Sequence, residues 1–444
     1  MRLVLVSIRD ARIASPRLGD GTRQTGDLRL LAEISMPQTI AIPAALLRRA
    51  LLGLLLALAL LVPGAALART PAEWVEAFWP TAKAAGVSRN VYNAALGGFQ
   101  PDPDVIKRSE EQAEFNTDIW IYLDRMVSEE RLSEGANALR QYENLLAQVE
   151  QRYGVDRYVV AAIWGIESHY GHIFDNPRLF KNTIRSLATL AYSGGRLAKF
   201  GRQQLVAALK IVQRGDVAPS GMVGSWVGAM GHTQFIPTTF EAYGVDFDGD
   251  GHRNIWTSPV DALASAANYL KKSGWQSGHA WGYEVFVPAS WPSDKNSERT
   301  LKTWAANGLT RVNGEGFPRP GETATLYMPN GRQGPAFLLL KNFRVIKRYN
   351  NSNSYALAVG HLADRLRGGG PFVGQWPEHE KPLTKSERER LQLLLTMGGF
   401  YDGDIDGNIG SGSRQAIRDY QRQAGITPNG VETRDLLQRL ERTQ

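Results

Sequence analysis

The 444-residue chain has no cysteine. Disulfides are excluded, and so is lipid attachment through the cysteine of a lipoprotein cleavage site. Internal repeats are absent, as are low-complexity tracts apart from RGGGPFVGQWPEHEKP (367–382), which reads by composition as a linker. A real excess of charge is also missing. The formal net charge is +7, but residues 1–68 carry eight Arg against four acids, leaving 43 basic and 40 acidic residues, a net of +3. Nucleic-acid binding has no support from that balance. Long apolar runs are lacking too: the one at 50–62 has thirteen residues, short of the roughly 20 that a membrane helix needs.

That run has the form of an export signal. Arg48 and Arg49 precede it, Pro63 and Gly64 break it, and Ala66-Leu67-Ala68 supplies an A-x-A cleavage site. Residues 1–68 are thus expected to be a presequence, with Met36 a candidate true start, and the mature protein to be exported, soluble and without a membrane anchor. An uncleaved anchor is the alternative.

What is present is globular: 43% hydrophobic and 21% charged residues, with 11 Trp and 15 Tyr of the kind that line carbohydrate clefts or fill cores. Residues 69–151 have apolar residues three and four apart and read as a helical lobe. Residues 153–270 continue as helices joined by Gly-rich loops. GYEVFVPASW (282–291), ATLYMP (324–329) and AFLLLKNFRVI (336–346) read as short strands. A helix returns at 355–366, and about 60 residues after the linker form a separate module.

The central stretch is DRYVVAAIWGIESHYG (156–171), read as a helix of about four turns with Asp156 as N-cap and Gly171 at the exit. Val160, Ile163 and Trp164 form an apolar face, and Glu167 falls on it at i+7. Burial and the negative helix end both raise the pKa of such a carboxyl, which suits a proton donor near neutral pH. The bland alternative is an acid neutralised by a buried Arg, with Arg185 as one candidate. A second constellation, GSWVGAMGHTQFIPTTF (224–240), sets Ser225 and Gln234 among glycines and apolar residues, the composition of a sugar-reading wall or of a tight helix connection.

Together, IWGIESHYG and SWVGAMGHTQFIP resemble the lytic murein transglycosylase B family, exported enzymes that cleave the peptidoglycan glycan strand. The resemblance runs from about Trp74 to Leu366 and includes RYNNSNSYALAVGHLADRL (348–366) and Ala267-Asn268-Tyr269. It implies a mostly helical α+β protein. A helical lobe (about 69–151) would flank a lysozyme-like core (about 152–280 and 346–366) with a small β insertion (about 281–345). By matching position, Glu167 is the acid/base, Ser225 and Gln234 are cleft residues, and Tyr122, Tyr269, Tyr349 and Tyr355 are aromatic lining. Taken singly, each Tyr reads first as a core residue; the match to the family motifs brings the two readings level. His232-Thr233 and Ser168-His169 depart from the family pattern.

The implied reaction needs one acid, and no second carboxylate lies near Glu167 on its face; Asp175 is the nearest downstream. A hydrolytic glycosidase usually needs two. Glu167 would protonate the leaving oxygen at the MurNAc-GlcNAc bond and then deprotonate the muramic C6 hydroxyl, giving 1,6-anhydro-MurNAc. Rival readings are a hydrolytic muramidase or glucosaminidase and a non-catalytic wall-binding scaffold. A monomeric periplasmic enzyme, without a cofactor for the chemistry, is the expectation.

DFDGDGHRNIWTSPVD (246–261) spells an EF-hand-like loop. Asp246, Asp248 and Asp250 take positions 1, 3 and 5, Gly251 the turn, and the His252 carbonyl position 7. Position 12 is Thr257; in the family's variant loop the last acid comes later and matches Asp261. A structural calcium ion is favoured over a solvated acidic turn. Finally, GFYDGDIDGNIG with SRQAIRDYQ resembles the peptidoglycan-binding domain, implying a small three-helix wall-binding unit at 383–444. Asp402, Asp404 and Asp406 alternate there too, but Ser413 stands at the twelfth position and a second calcium loop is rejected.

Overall fold

The computed structural model describes residues 69–110, 118–291, 297–376 and 383–442. The expected presequence lies outside them. Helices α1 (Pro71–Ala84), α2 (Arg89–Leu96), α3 (Pro103–Glu110), α4 (Ile119–Met126), α5 (Glu129–Gln141) and α6 (Glu143–Tyr153) come first. Local chemistry sets their ends: Ser88 and Ser128 cap α2 and α5, and Gly154 leaves α6 at φ +67°.

The centre is α7 (Arg157–Ser168), whose residues from Val159 to Ser168 are all buried. A helix apolar all round is a core helix, not an amphipathic surface one. Onto it pack α5, α6, α11 (Pro259–Lys272) and α14 (Asn353–Leu366), with α14 laid directly along α7; α9 (Ala198–Arg214) packs on α8 (Thr183–Tyr192) and α10 (Pro237–Tyr243), and α13 (Lys341–Tyr349) on α11 and α14. Strands β1 (Lys181–Asn182) and β2 (Val223–Gly224) make a short antiparallel ladder that pins the loop at 224–236.

The expected β insertion is an antiparallel sheet in the order β4-β6-β7-β3-β5, from β3 (Gly282–Phe286), β4 (Glu298–Thr300), β5 (Thr310–Arg311), β6 (Thr323–Tyr327) and β7 (Ala336–Leu339). With the short α12 (Leu301–Ala306) it has its own core of Trp291, Leu301, Trp304, Leu326 and Leu338. The last three helices, α15 (Lys385–Met397), α16 (Ser411–Gln423) and α17 (Arg434–Arg442), enclose Leu391, Leu395, Ile417 and Leu437. Among the described residues no helix is long and apolar enough to cross a membrane.

Three local expectations differ from the structure. KNFRVI, read as strand, forms the start of α13; Asn342, Phe343, Val345 and Ile346 are buried while Lys341 and Arg344 face out, a helical period. The helix around Glu167 stops at Ser168 rather than at Gly171. His169 and Tyr170 both take left-handed backbones (φ +52° and +55°), held by tertiary contacts: His169 Nε2 lies 2.5 Å from Glu134 Oε2, and the Tyr170 ring folds back onto Gly165. The first part of the supposed linker is packed, not free. Phe372 stacks on His361 at 3.7 Å between centroids, Trp376 meets Trp120, and the amides of Val373 and Gly374 donate to the Glu284 carboxylate at 2.9 and 2.7 Å.

Candidate active site

Glu167, one residue from the C-terminus of α7, is 7% exposed. Its Oε1 accepts a hydrogen bond of 2.6 Å from the Tyr355 hydroxyl, which α14 brings across. Burial pushes the Glu167 carboxyl up to about 8, against the opposing pull of the Tyr355 bond. Among the described residues no Arg or Lys pairs with it. Arg185 is committed elsewhere, donating to the carbonyls of Gln100 and Pro101. No second carboxylate perturbs it either.

A line of aromatic rings leads away from this acid. Tyr355 stacks on Tyr349, 6.4 Å between centroids and 13° between planes, and Tyr349 meets Tyr269 edge-on at 5.1 Å. Phe235 touches both of those, and Tyr243 adjoins Tyr269 at 4.7 Å. The Tyr349 hydroxyl donates to the Thr233 carbonyl at 2.8 Å and Tyr269 to that of Arg348. On the other side, the hydroxyl of Tyr122 from α4 is buried without a hydrogen-bond partner, and burial followed by the Glu167 charge raises its pKa.

The loop at 224–236 reaches the acid through this array. Ser225 is 2% exposed; its Oγ accepts from the Ala229 amide at 3.0 Å and closes a turn. Gln234 sits at φ +50°, donates from Nε2 to the Gly231 carbonyl at 2.9 Å, and leaves its Oε1 buried with no partner. Backbone strain and an unmet buried oxygen together make Gln234 a candidate ligand contact. Gly231 is obligatory, since a Cβ there would lie 2.2 Å from the Ile255 carbonyl. His232 is turned against α7, its Nδ1 accepting from Trp164 Nε1 at 3.1 Å, and burial lowers it to about 4. Thus Glu167 meets Tyr355 directly and Tyr349 and Tyr269 through it, the buried hydroxyl of Tyr122 lies nearby on α4, Gln234 stands between Thr233 and Phe235, and Ser225 closes the turn at the start of the same loop. Phe235 and the buried Arg131 were not singled out from the sequence, and Trp164 was read only as part of an apolar face. Phe235 was visible inside the loop motif; Arg131 carried no local signal.

The acidic loop lies next door, because the His232 amide donates to the Ile255 carbonyl at 2.8 Å. Asp246, Asp248 and Asp261 each bring a carboxylate oxygen within 4.8 Å of the others. Asp261, in the first turn of α11, is 2% exposed and accepts from the amides of Phe247 and Asn254, both at 2.7 Å. Asp250 is outside that trio. Its Oδ1 accepts from the His252 amide at 2.8 Å, and His252 has an exposed side chain. An all-oxygen donor set with one buried carboxylate fits a hard cation such as calcium. In the C-terminal module, Asp404 instead pairs with Arg178, and Asp406 accepts from Asn408 and Gln392.

Residues 70–364 match the model of the Transglycosylase SLT domain, and residues 384–440 match a peptidoglycan binding domain. SltB3 from Pseudomonas aeruginosa, solved in complex with NAG-NAM-pentapeptide, is similar at 48% identity over 84% of this chain and 100% of that one, with a TM-score of 0.67. Slt35 of Escherichia coli, solved with calcium, is 29% identical over 66% of this chain and 92% of that one, with a TM-score of 0.56. The membrane-bound lytic murein transglycosylase B of Escherichia coli (strain K12) is 33% identical over 253 residues, 56% of this chain and 67% of the relative. With a buried carboxyl bonded only to a tyrosine hydroxyl among stacked aromatic rings, and a family match across about two thirds of its length, the chain belongs to the Transglycosylase SLT family and is a lytic transglycosylase.

Proposed function

We propose that this enzyme cleaves the MurNAc-GlcNAc β-1,4 bond of peptidoglycan with Glu167 as its single acid and base. The carrying observation is the burial of Glu167 with Tyr355 as its partner and no competing charge. A carboxyl raised to about 8 is mostly protonated at neutral pH and can donate to the glycosidic oxygen. As that C1–O bond breaks, the leaving sugar keeps the proton and Glu167 becomes a carboxylate, to which Tyr355 holds its hydrogen bond. The substrate's own N-acetyl group steadies the positive charge at C1. The muramic C6 hydroxyl then attacks C1 and returns its proton to Glu167, closing the 1,6-anhydro ring with no water consumed.

Tyr122, Tyr269 and Tyr349 would line the cleft, with Ser225 and Gln234 behind them. The buried, unmet Gln234 Oε1 suits a sugar N–H or hydroxyl donor. Asp246, Asp248 and Asp261 would hold a calcium ion. Bound there, it would stiffen the loop whose Ile255 carbonyl supports His232. Residues 367–382 would separate the catalytic region from the wall-binding module at 383–444. The A-x-A site at 66–68 would deliver a soluble, monomeric enzyme to the periplasm. The test is Glu167→Gln on purified sacculi. Glycan release should vanish while co-sedimentation with sacculi persists; retained cleavage would place the acid elsewhere.

A further inference from the structure

Three charged side chains connect the C-terminal module to the catalytic helix, and the mechanism above uses none of them. Glu432, just before α17, is 8% exposed. Its Oε1 accepts from Arg125 Nη2 at 2.7 Å, and its Oε2 lies 3.7 Å from Arg414 Nη1 of the same module. Arg125 sits on α4 one turn beyond Tyr122, and its main-chain carbonyl accepts from Arg131 Nη1 at 2.5 Å. Arg131, 9% exposed, also donates from Nε to the Gly165 carbonyl at 3.1 Å, two residues before Glu167. A guanidinium keeps its charge, so burying it is tolerable only when its donors are met. Arg131 places two of its five donors, one on a carbonyl from each of the two helices that carry Tyr122 and Glu167. Arg178 and Asp404 make a second, exposed bridge between the same two parts, and exposed bridges contribute little.

We infer that Glu432 and Arg131 are positioning residues, through which the docked module fixes α4, the helix that carries Tyr122, against the helix α7 that carries Glu167. This goes beyond anchoring: a module that is only a tether changes how much enzyme sits on the wall, not how fast a bound strand is cut. The inference rests on the catalytic reading of Glu167. It therefore needs a substrate on which tethering does not count, a soluble GlcNAc-MurNAc tetrasaccharide.

The experiment compares full-length wild type, Glu432→Gln, Arg125→Gln, the double variant and Arg131→Lys on that tetrasaccharide, with thermal melting as a check on folding. The single variants at 125 and 432 should lower kcat about tenfold with KM little changed, because a misplacement of about 1 Å costs up to about 10²-fold. The double variant should be no slower than the worse single one, since both break the same contact. Arg131→Lys keeps the charge but loses the fork, and should be slowed likewise. Unchanged kcat in both Glu432→Gln and Arg125→Gln, or losses that multiply in the double variant, would overturn the inference while leaving Glu167 in place. If wild type itself leaves the glycan uncut, the catalytic reading fails first and this one with it.

Discussion

Glu167 and the acidic loop at 246–261 use the same functional group under opposite conditions. Glu167 stands alone among apolar and aromatic side chains with one hydroxyl as partner, and burial keeps it protonated up to about pH 8. Asp246 and Asp248, at the surface, crowd against the buried Asp261, where the three repel one another unless a cation joins them. Isolation makes a carboxyl into a proton donor; crowding makes it into a cation ligand. The C-terminal Asp404 and Asp406 show a third outcome. The same alternate-Asp spelling is dispersed there into an Arg pair and a turn.

The largest expected effect removes the isolated acid. Glu167→Gln should lower glycan cleavage by at least about a hundredfold, the lower range for general acid–base catalysis. The same change should raise stability. Because the folded pKa lies above the ordinary 4.5, wild-type stability falls as pH rises from there to about 8, then levels off. The neutral Gln escapes that loss, so its melting advantage should be absent at pH 4 and present, on the order of a few kcal/mol, at pH 9. Equal pH dependence in the two proteins would mean that Glu167 is not a buried neutral acid.

Next in size is the alkaline limb of activity, which should fall through about pH 8 as Glu167 ionises. Tyr355→Phe removes the one hydrogen bond that favours the charged form. It should move that limb up by about one pH unit, since a bond to a charged group contributes about 1.5 kcal/mol or more. A limb that stays put would show the Tyr355 contact to be irrelevant to the titrating group.

The smallest effects belong to the crowded acids. Calcium should raise the melting temperature of wild type and of Asp404→Asn, and chelator should reverse it. Asp261→Asn should abolish the calcium response and lower the ion-free melting temperature slightly, one of its two backbone amide bonds being weakened. A calcium response that survives in Asp261→Asn but is lost in Asp404→Asn would invert the comparison.

Much of this was legible locally. The N-cap Asp156, the acid set in an apolar face and the texture change at 282 follow from spacing and composition, while the three-helix end of the chain was implied only by the resemblance of GFYDGDIDGNIG and SRQAIRDYQ to a known domain. What was hidden depends on distance along the chain. The Tyr355 bond to Glu167 spans 188 residues, and no local pattern specifies it. The exit of α7 went wrong because glycine is the usual left-handed residue, whereas here Glu134 and Gly165 hold His169 and Tyr170 in that region. The Gly-Pro-rich stretch after 367 looked free because its partners, Glu284, Phe337 and His361, lie in the sheet and on α14. Helix α13 was masked by the strand β7 running directly into it.

The most direct measurement is the mass of the muropeptides that the purified enzyme releases from intact sacculi. If Glu167 works alone and the C6 hydroxyl is the nucleophile, every product should be one water lighter than its hydrolytic counterpart and lack a reducing end. Products of full hydrolytic mass, abolished by Glu167→Gln, would contradict that account and make this site a two-component hydrolase.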